Sequence, residues 1–249
     1  QQLKIYRQSV LKWAFEGRFT KSNVRKYGIP KAWQLVCLKD ICLDITDGDH
    51  QPPPKSNTGI PFITISNIDK SNNRILFENT FLVGQKYYER LLDKRKPRKG
   101  DVLFTVTGSF GIPVLVDFER PFCFQRHIAL LRPLQVIDQK YLYYVLQTND
   151  VYKQAEAKAT GTAQKTVGLA SLRDIQIPIA STIIEQKQIV SEIECRFSVC
   201  DQLEKRINQN LQQAETLRQS ILKKAFEGKL VPYDYKNQPG LYPKIATHS

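Results

Sequence analysis

The chain has 249 residues, with 37 Lys plus Arg against 24 Asp plus Glu, a formal charge of +13 and no methionine. No run of eighteen apolar residues is present and no signal-peptide pattern opens the chain, which argues against a membrane span and for a cytoplasmic protein. Five cysteines (Cys37, Cys42, Cys123, Cys195 and Cys200) contain no C-x-x-C pair. They support neither a disulfide framework nor a zinc site, while the positive balance suits a polyanionic partner.

The chain opens on Gln, which points to a piece of a longer protein or a trimmed one. Residues 7-RQSVLKWAFEGRF-19 return as 218-RQSILKKAFEGKL-230, a shift of 211 positions. Two copies of a helix end so far apart do not make a solenoid; they bracket one domain. The first copy predicts a short N-terminal helix within residues 1–19.

Between the brackets the grammar changes. Residues 60–68, 101–118, 122–133 and 172–179 are short β-rich runs broken by turn residues, and 139–158 reads as one or two helices. Residues 30–180 are therefore expected to form one irregular mixed α/β domain of the α+β class, with long loops at 46–60 and 159–170, where function concentrates. Within it, 86-KYYERLLDKRKPRK-99 holds seven basic residues against Glu89 and Asp93. Such a run is either a solvated face or a surface that tracks phosphates.

Thr182-Ile183-Ile184-Glu185 reads as a capping box. Apolar or small residues then fall from Val190 to Ala225 in ten steps over 35 positions, the 3.5-residue period of a coiled coil. Lys223 and Lys224 suit the last turn, Gly228 the left-handed cap, and Pro232 blocks continuation. A helix over 183–228 follows, long enough to need a partner, with a tail over 229–249.

In their order and spacing these pieces resemble the DNA-specificity subunits of Type I restriction-modification systems. The likeness rests on Trp33 with Leu38 and Ile41, 45-ITDGDHQPPP-54, 59-GIPFITISNI-68 and 99-KGDVLFTVTGSFG-111. It continues through 160-TGTAQKTVGLASLRDIQIPI-179, 185-EQKQIV-190 and the terminal 220-SILKKAFEGKLVP-232. Ala180-Ser181 stand where the family usually has Pro-Pro. The resemblance implies one target-recognition domain followed by a conserved helix, half of a subunit whose two domains read the two halves of a split site. It also implies no chemistry in this chain. Methylation subunits would use S-adenosylmethionine, and a restriction and translocation subunit ATP and Mg²⁺. The chain would be a natural half-subunit that dimerises through its long helix, or the second half of a whole one.

For base or phosphate contacts the candidates are His50 and Lys55 in the D-G-D-H-Q-P-P-P loop, Ser109 and Phe110 in T-G-S-F-G, Arg126 in F-Q-R-H, and Thr162, Gln164 and Lys165 in T-G-T-A-Q-K-T. Guanidinium, amide and hydroxyl groups are the side chains that pair with base edges and phosphates. His50 would serve equally as a cap of its Pro-rich loop. His127, flanked by apolar residues, fits a core histidine, with Arg126 on the opposite face of a strand. Two other functions are open: a metal-dependent nuclease built on Glu156-Ala157-Lys158 or Glu227-Gly228-Lys229 with Asp138 and Asp150, and a coiled-coil scaffold without a DNA role.

Overall fold

The computed structural model describes residues 2–20, 29–51 and 53–230. It divides into two units, Gln1–Phe197 and Ser198–Ser249. The expected tail beyond Leu230 and the stop at Pro232 lie outside the described residues. None of the helices is long and apolar enough to cross a membrane, among the described residues.

The first unit begins with helix α1 (Gln2–Phe15). Val10, Leu11, Ala14 and Phe15 fall on one stripe at i, i+1, i+4, i+5 and are buried in the main core, where Phe15 meets the Tyr141 ring edge-on at 5.1 Å. The turn after it is closed by Gly17 at φ 74°, with Arg18 N–H donating to the Trp13 carbonyl at 2.9 Å. Only glycine takes this left-handed cap without strain.

Strand β1 (Gln34–Cys37) and the one-turn helix α2 (Leu38–Ile41) lead into β2 (Cys42–Asp47). Next come β3 (Lys55–Ser56), β4 (Ile60–Ile63), the hairpin β5 (Ile68–Asp69) and β6 (Arg74–Ile75), and β7 (Phe81–Val83). The basic run forms helix α3 (Gln85–Arg90) and a 3₁₀ turn at Asp93–Arg95. Strands β8 (Val102–Thr105), β9 (Pro113–Leu115), β10 (Cys123–Phe124) and β11 (Ile128–Pro133) follow. Helices α4 (Gln139–Val145), α5 (Asn149–Lys158) and α6 (Leu169–Arg173) then lead to β12 (Gln176–Ile179).

The strands form two four-stranded sheets, ordered β2-β11-β8-β9 and β10-β4-β7-β3, and two ribbons, β1-β12 and β5-β6. Every pairing is antiparallel except β10 with β4. One face of the first sheet (Val102, Phe104, Ala129, Leu131) joins α1 and α4 in the main core. The opposite face (Leu103, Leu130) packs with Ile63 and Phe124 of the second sheet. The α+β class expected from the sequence is the one observed.

The segment read as one or two helices is two, because Asp138 caps α4 through the amides of Lys140 and Tyr141 and Thr148 caps α5. The run 122–133 is not one strand. It breaks at Gln125–His127 into β10 and β11, which belong to different sheets. This overturns the expectation that Arg126 and His127 sit on opposite faces of a strand.

Helix α7 (Ile183–Phe226) starts where the Thr182–Glu185 pattern places it. The Thr182 hydroxyl accepts the Glu185 amide at 3.1 Å, and the Glu185 carboxylate accepts the Ser181 amide and the Trp33 indole N–H. Gln186 is fully buried, its side-chain oxygen accepting the Asp138 amide at 2.7 Å and its amide donating to the Val136 carbonyl. That bolt satisfies polar groups whose burial would otherwise cost about 1–3 kcal/mol each. With Ile189 and Ile193 in the core, the first turns of α7 belong to the first unit.

In the second unit, Val199, Leu203, Ile207, Leu211, Leu217 and Ile221 of α7 are exposed. Its end repeats the cap of α1: Gly228 has φ 68°, and Lys229 N–H donates to the Lys224 carbonyl at 2.8 Å. The sequence repeat is thus a repeat of local geometry. Burial separates the copies, since Phe15 is 5% exposed and its counterpart Phe226 is 90% exposed.

Candidate nucleic-acid interface

Four segments distant in sequence meet at one end of the two sheets. The first is the loop that leaves β2. Gly48 passes so close to the second segment that an added Cβ would lie 1.9 Å from the Phe124 carbonyl oxygen, so only a residue without a side chain fits. Asp49 N–H donates to that carbonyl, and Arg126 N–H donates to the Asp49 carbonyl, both at 3.0 Å. The loop therefore fixes the Gln125–His127 turn.

The other two segments are the loops 106–112 and 160–166. Thr160 and Thr166 exchange backbone hydrogen bonds at 2.9 and 2.8 Å, closing the second loop into a tight ring. Gly108 N–H donates to the Lys165 carbonyl and Val167 N–H to the Val106 carbonyl, while the Thr166 and Thr107 hydroxyls lie 3.2 Å apart. Val106 N–H also donates to the His127 carbonyl at 2.9 Å. All four pieces are stitched main chain to main chain.

Between them lies a cleft of about 380 Å³, lined by residues that include Asp47, His50, Thr107, Arg126, His127, Gln164 and Leu169. Three of the sequence candidates, His50, Arg126 and Gln164, converge here from positions far apart in the chain. His50 Nε2 is 3.0 Å from Asp47 Oδ2, and Arg126 is exposed. Thr162 and Lys165 are exposed on the ring at the edge of the cleft.

The remaining candidates are placed elsewhere. Ser109 is exposed, but its hydroxyl accepts Lys70 Nζ at 2.6 Å. Phe110 is buried in the main core and stacks on Tyr152 at 5.5 Å, so its ring is not offered to a base. Lys55 lies over the Phe81 ring on β3, three strand spacings, or about 14 Å, from β10. The sequence reading missed the lining residues Asp47, Thr107, Thr166 and His127. His127, whose apolar neighbours fit a core histidine, is instead half-buried in the cleft wall, and burial, with Arg126 beside it, pushes its imidazole below the ordinary value.

The basic run is shaped by buried and half-buried acids. Arg95 reaches Asp47 Oδ1 at 3.4 Å and Asp49 Oδ1 at 3.6 Å, and the Tyr87 hydroxyl donates to Asp49. Arg132 on β11 grips Asp101 with two bonds at 3.1 and 2.9 Å, Asp44 at 3.2 Å, and the carbonyls of Asp93 and Lys96. Burial works against its charge, yet Asp101 and Asp44 hold it above the usual arginine value. Lys86, Arg90, Lys94 and Lys99 are left exposed. They have no ion-pair partner among the described residues.

The nuclease constellation is not assembled. Glu156 and Lys158 stand two positions apart on a helix, about 200° around its axis, and Lys158 Nζ donates to the Asp174 carbonyl at 2.7 Å. Asp138 is a helix cap. Glu227 pairs with Lys229 at 2.9 Å beyond the end of α7.

Residues 30–213 match the family model described as the Type I restriction modification DNA specificity domain. The chain belongs to that family. Among curated members of the specificity-subunit family, it is 28% identical to the Type I restriction enzyme EcoBI specificity subunit of Escherichia coli, over 97% of this chain and 53% of that protein. It is 31% identical to the EcoDI specificity subunit of Escherichia coli, over 97% of this chain and 57% of that one. The crystal structure of the HsdS subunit from Thermoanaerobacter tengcongensis shares the fold, with a TM-score of 0.61 at 21% identity over 92% of this chain and 52% of that chain. The chain therefore spans about half the length of the specificity subunits it matches.

Proposed function

We propose that this chain is a non-catalytic DNA-reading unit, in which the cleft faces the base edges of duplex DNA and recognises one half of a bipartite target. The observation that carries the reading is the convergence of His50, Arg126 and Gln164 on one cleft with rigid main-chain walls. A guanidinium and a carboxamide are the groups that make bidentate pairs with guanine and adenine in the major groove, each worth about 1–3 kcal/mol of discrimination. Membership of a DNA specificity family supports the same conclusion. The test is selection from randomised duplex DNA at near-physiological salt, using the chain assembled with a methylation subunit. Enrichment of one short contiguous motif is the expected result; binding without enrichment would mean purely electrostatic contacts and would sink the reading.

The proposal extends to partners. The long helix would dock methylation and restriction subunits, and its uncovered end would pair with a second recognition domain. The repeat supports this: Val10, Leu11, Ala14 and Phe15 are buried, whereas Ile221, Leu222 and Phe226 are exposed. Fully burying such side chains is worth about 1.5–3 kcal/mol each. A second copy of the chain, or the other half of a full-length subunit, would supply the cover. Sedimentation at micromolar concentration should show a dimer that Phe226→Asp weakens; a strict monomer would count against self-pairing.

A further inference from the structure

A second hollow, of about 250 Å³, runs along β2 and is lined by Lys39, Leu43, Asp44, Thr46, Lys94 and Arg173. Its three cations come from three separate elements, α2, the 3₁₀ turn at Asp93–Arg95, and α6. Strand β2 is an outer strand of its sheet, so the hollow borders a sheet edge.

Two of the cations are fixed by direct contacts, and, among the described residues, none is paired with a buried acid. Arg173 donates one guanidinium N–H to the Ile45 carbonyl at 2.8 Å, which fixes the group against the strand. Lys39 Nζ is 2.8 Å from Asp174 in an exposed pair. Lys94 is exposed, and its turn is tied to β11 by Arg132, which donates to the Asp93 and Lys96 carbonyls and to Asp101. Asp44, the acid in the lining, is engaged by the same Arg132 at 3.2 Å. Arg132 is shared between Asp101 and Asp44, and the three lining cations against the one lining acid leave the concave surface cationic.

Its position relates it to the cleft. Thr46 of the hollow adjoins Asp47 of the cleft on β2, and the hollow runs on to Cys42 at the other end of the strand, about 17 Å from Asp47 at the rise of a strand. Leu169 and Arg173 are one turn apart on α6. From the cleft the hollow thus extends over about five rises of 3.4 Å, a reach that one nucleic-acid backbone covers.

We propose that this hollow is a phosphate anchor for the backbone of the same duplex whose bases face the cleft. The inference rests on the DNA-reading function proposed above. Phosphate contacts position a protein without carrying sequence information, so the hollow sets register and the cleft sets specificity.

The test measures duplex binding by the full chain across a salt series, for a selected and a scrambled sequence, with Lys94→Glu, Lys39→Ala/Lys94→Ala and Lys94→Arg. The first two should weaken binding to both sequences about 10-fold or more, keep their ranking, and reduce the slope of log K against log salt by about 0.9 per lost phosphate contact. Lys94→Arg should keep the slope. Thermal melts should match wild type, since Lys94 is exposed. A wild-type chain that binds duplex while Lys94→Glu leaves affinity and slope unchanged overturns the anchor alone; a wild-type chain that binds no duplex overturns the DNA reading and the anchor with it. Loss of tripolyphosphate binding, or of the methylation subunit, with duplex binding intact would assign the hollow to a free polyphosphate or a protein surface and also overturn the proposal.

Discussion

Gly48→Ala perturbs the cleft without removing any group that faces it. The added Cβ would sit 1.9 Å from the Phe124 carbonyl oxygen and 2.7 Å from the Gln125 carbonyl carbon. Contact distances below 3.0 Å are essentially never tolerated by a Cβ, so the two backbones must part by more than about 1 Å. Both obstacles are main chain, so no side-chain rotation relieves them. The separation lengthens the bonds that join Asp49 to Phe124 and Arg126 to Asp49, both now at 3.0 Å. Leaving two such groups poorly satisfied costs about 2–4 kcal/mol, or a fall of about 5–15 °C in Tm for a domain of this size.

The functional loss should exceed what stability alone explains. A 1 Å shift of the Gln125–His127 turn takes Arg126 out of bidentate geometry, removing about 1–3 kcal/mol of base discrimination, a factor of about 5 to 150. The assay pairs a melting curve with binding to the selected and scrambled duplexes, below the Tm of the variant. Arg126→Ala is the control, expected to lose the discrimination at nearly wild-type Tm. A Gly48→Ala protein with unchanged Tm and unchanged sequence ranking would refute both the tight loop packing and the role of Arg126.

Lys165→Ala should weaken binding to all sequences alike and lower the salt slope by about one counterion, measured by the same titrations; an unchanged slope would remove Lys165 from the backbone contacts. Arg132→Ala should destabilise by about 3–5 kcal/mol in urea unfolding, because it strands the buried Asp101 carboxylate, whereas replacing the exposed Arg98 should cost little. Native alkylation at pH 8 should label the exposed Cys195 and spare Cys42 and Cys123. Burial pushes both of those thiols up to about 12, leaving almost no thiolate to react; labelling of either at the rate of an unfolded control would contradict the packing.

The parts of this molecule legible in its sequence are those governed by local rules. The start of α7 follows from a Thr hydroxyl and a Glu carboxylate three residues apart, its length from a sustained 3.5-residue period, and its end from a glycine able to take positive φ. The helical character of 139–158 is likewise local, while the choice between one helix and two is settled by the Asp138 and Thr148 caps. What failed depended on distant partners. The run 122–133 is β-rich throughout, and nothing in it marks the break at Gln125–His127, because that turn is imposed from outside by Asp49 and by the Ile63 carbonyl, which accepts the Gln125 amide. Strand β1 has no apolar alternation of its own and exists through pairing with β12, where Gln34 lies opposite Ile179, 145 positions away.

The same distinction explains the candidate cleft. His50 and Gln164 stand out in the sequence as polar residues of long loops, where function concentrates, and Arg126 as a guanidinium in a β-rich run. Sequence alone could not separate them from Phe110, whose neighbours Gly108 and Gly111 suggest an exposed turn while Tyr152, forty-two positions on, draws the ring inward. Nor could it see that Arg95, in the middle of a basic run, turns away from solvent to hold Asp47 and Asp49. A run of charge read along the chain is therefore two populations in space: Arg95 stiffens the loop that carries His50, and Lys94, one residue earlier, faces the hollow on the outer edge of β2. Adjacent cations with opposite duties follow from the 3₁₀ turn at Asp93–Arg95, where a step of about 120° per residue sends neighbouring side chains to different surfaces. Exchanging the charges of these two positions should thus be unequal, with loss at Arg95 loosening the cleft and loss at Lys94 only weakening the grip on the duplex.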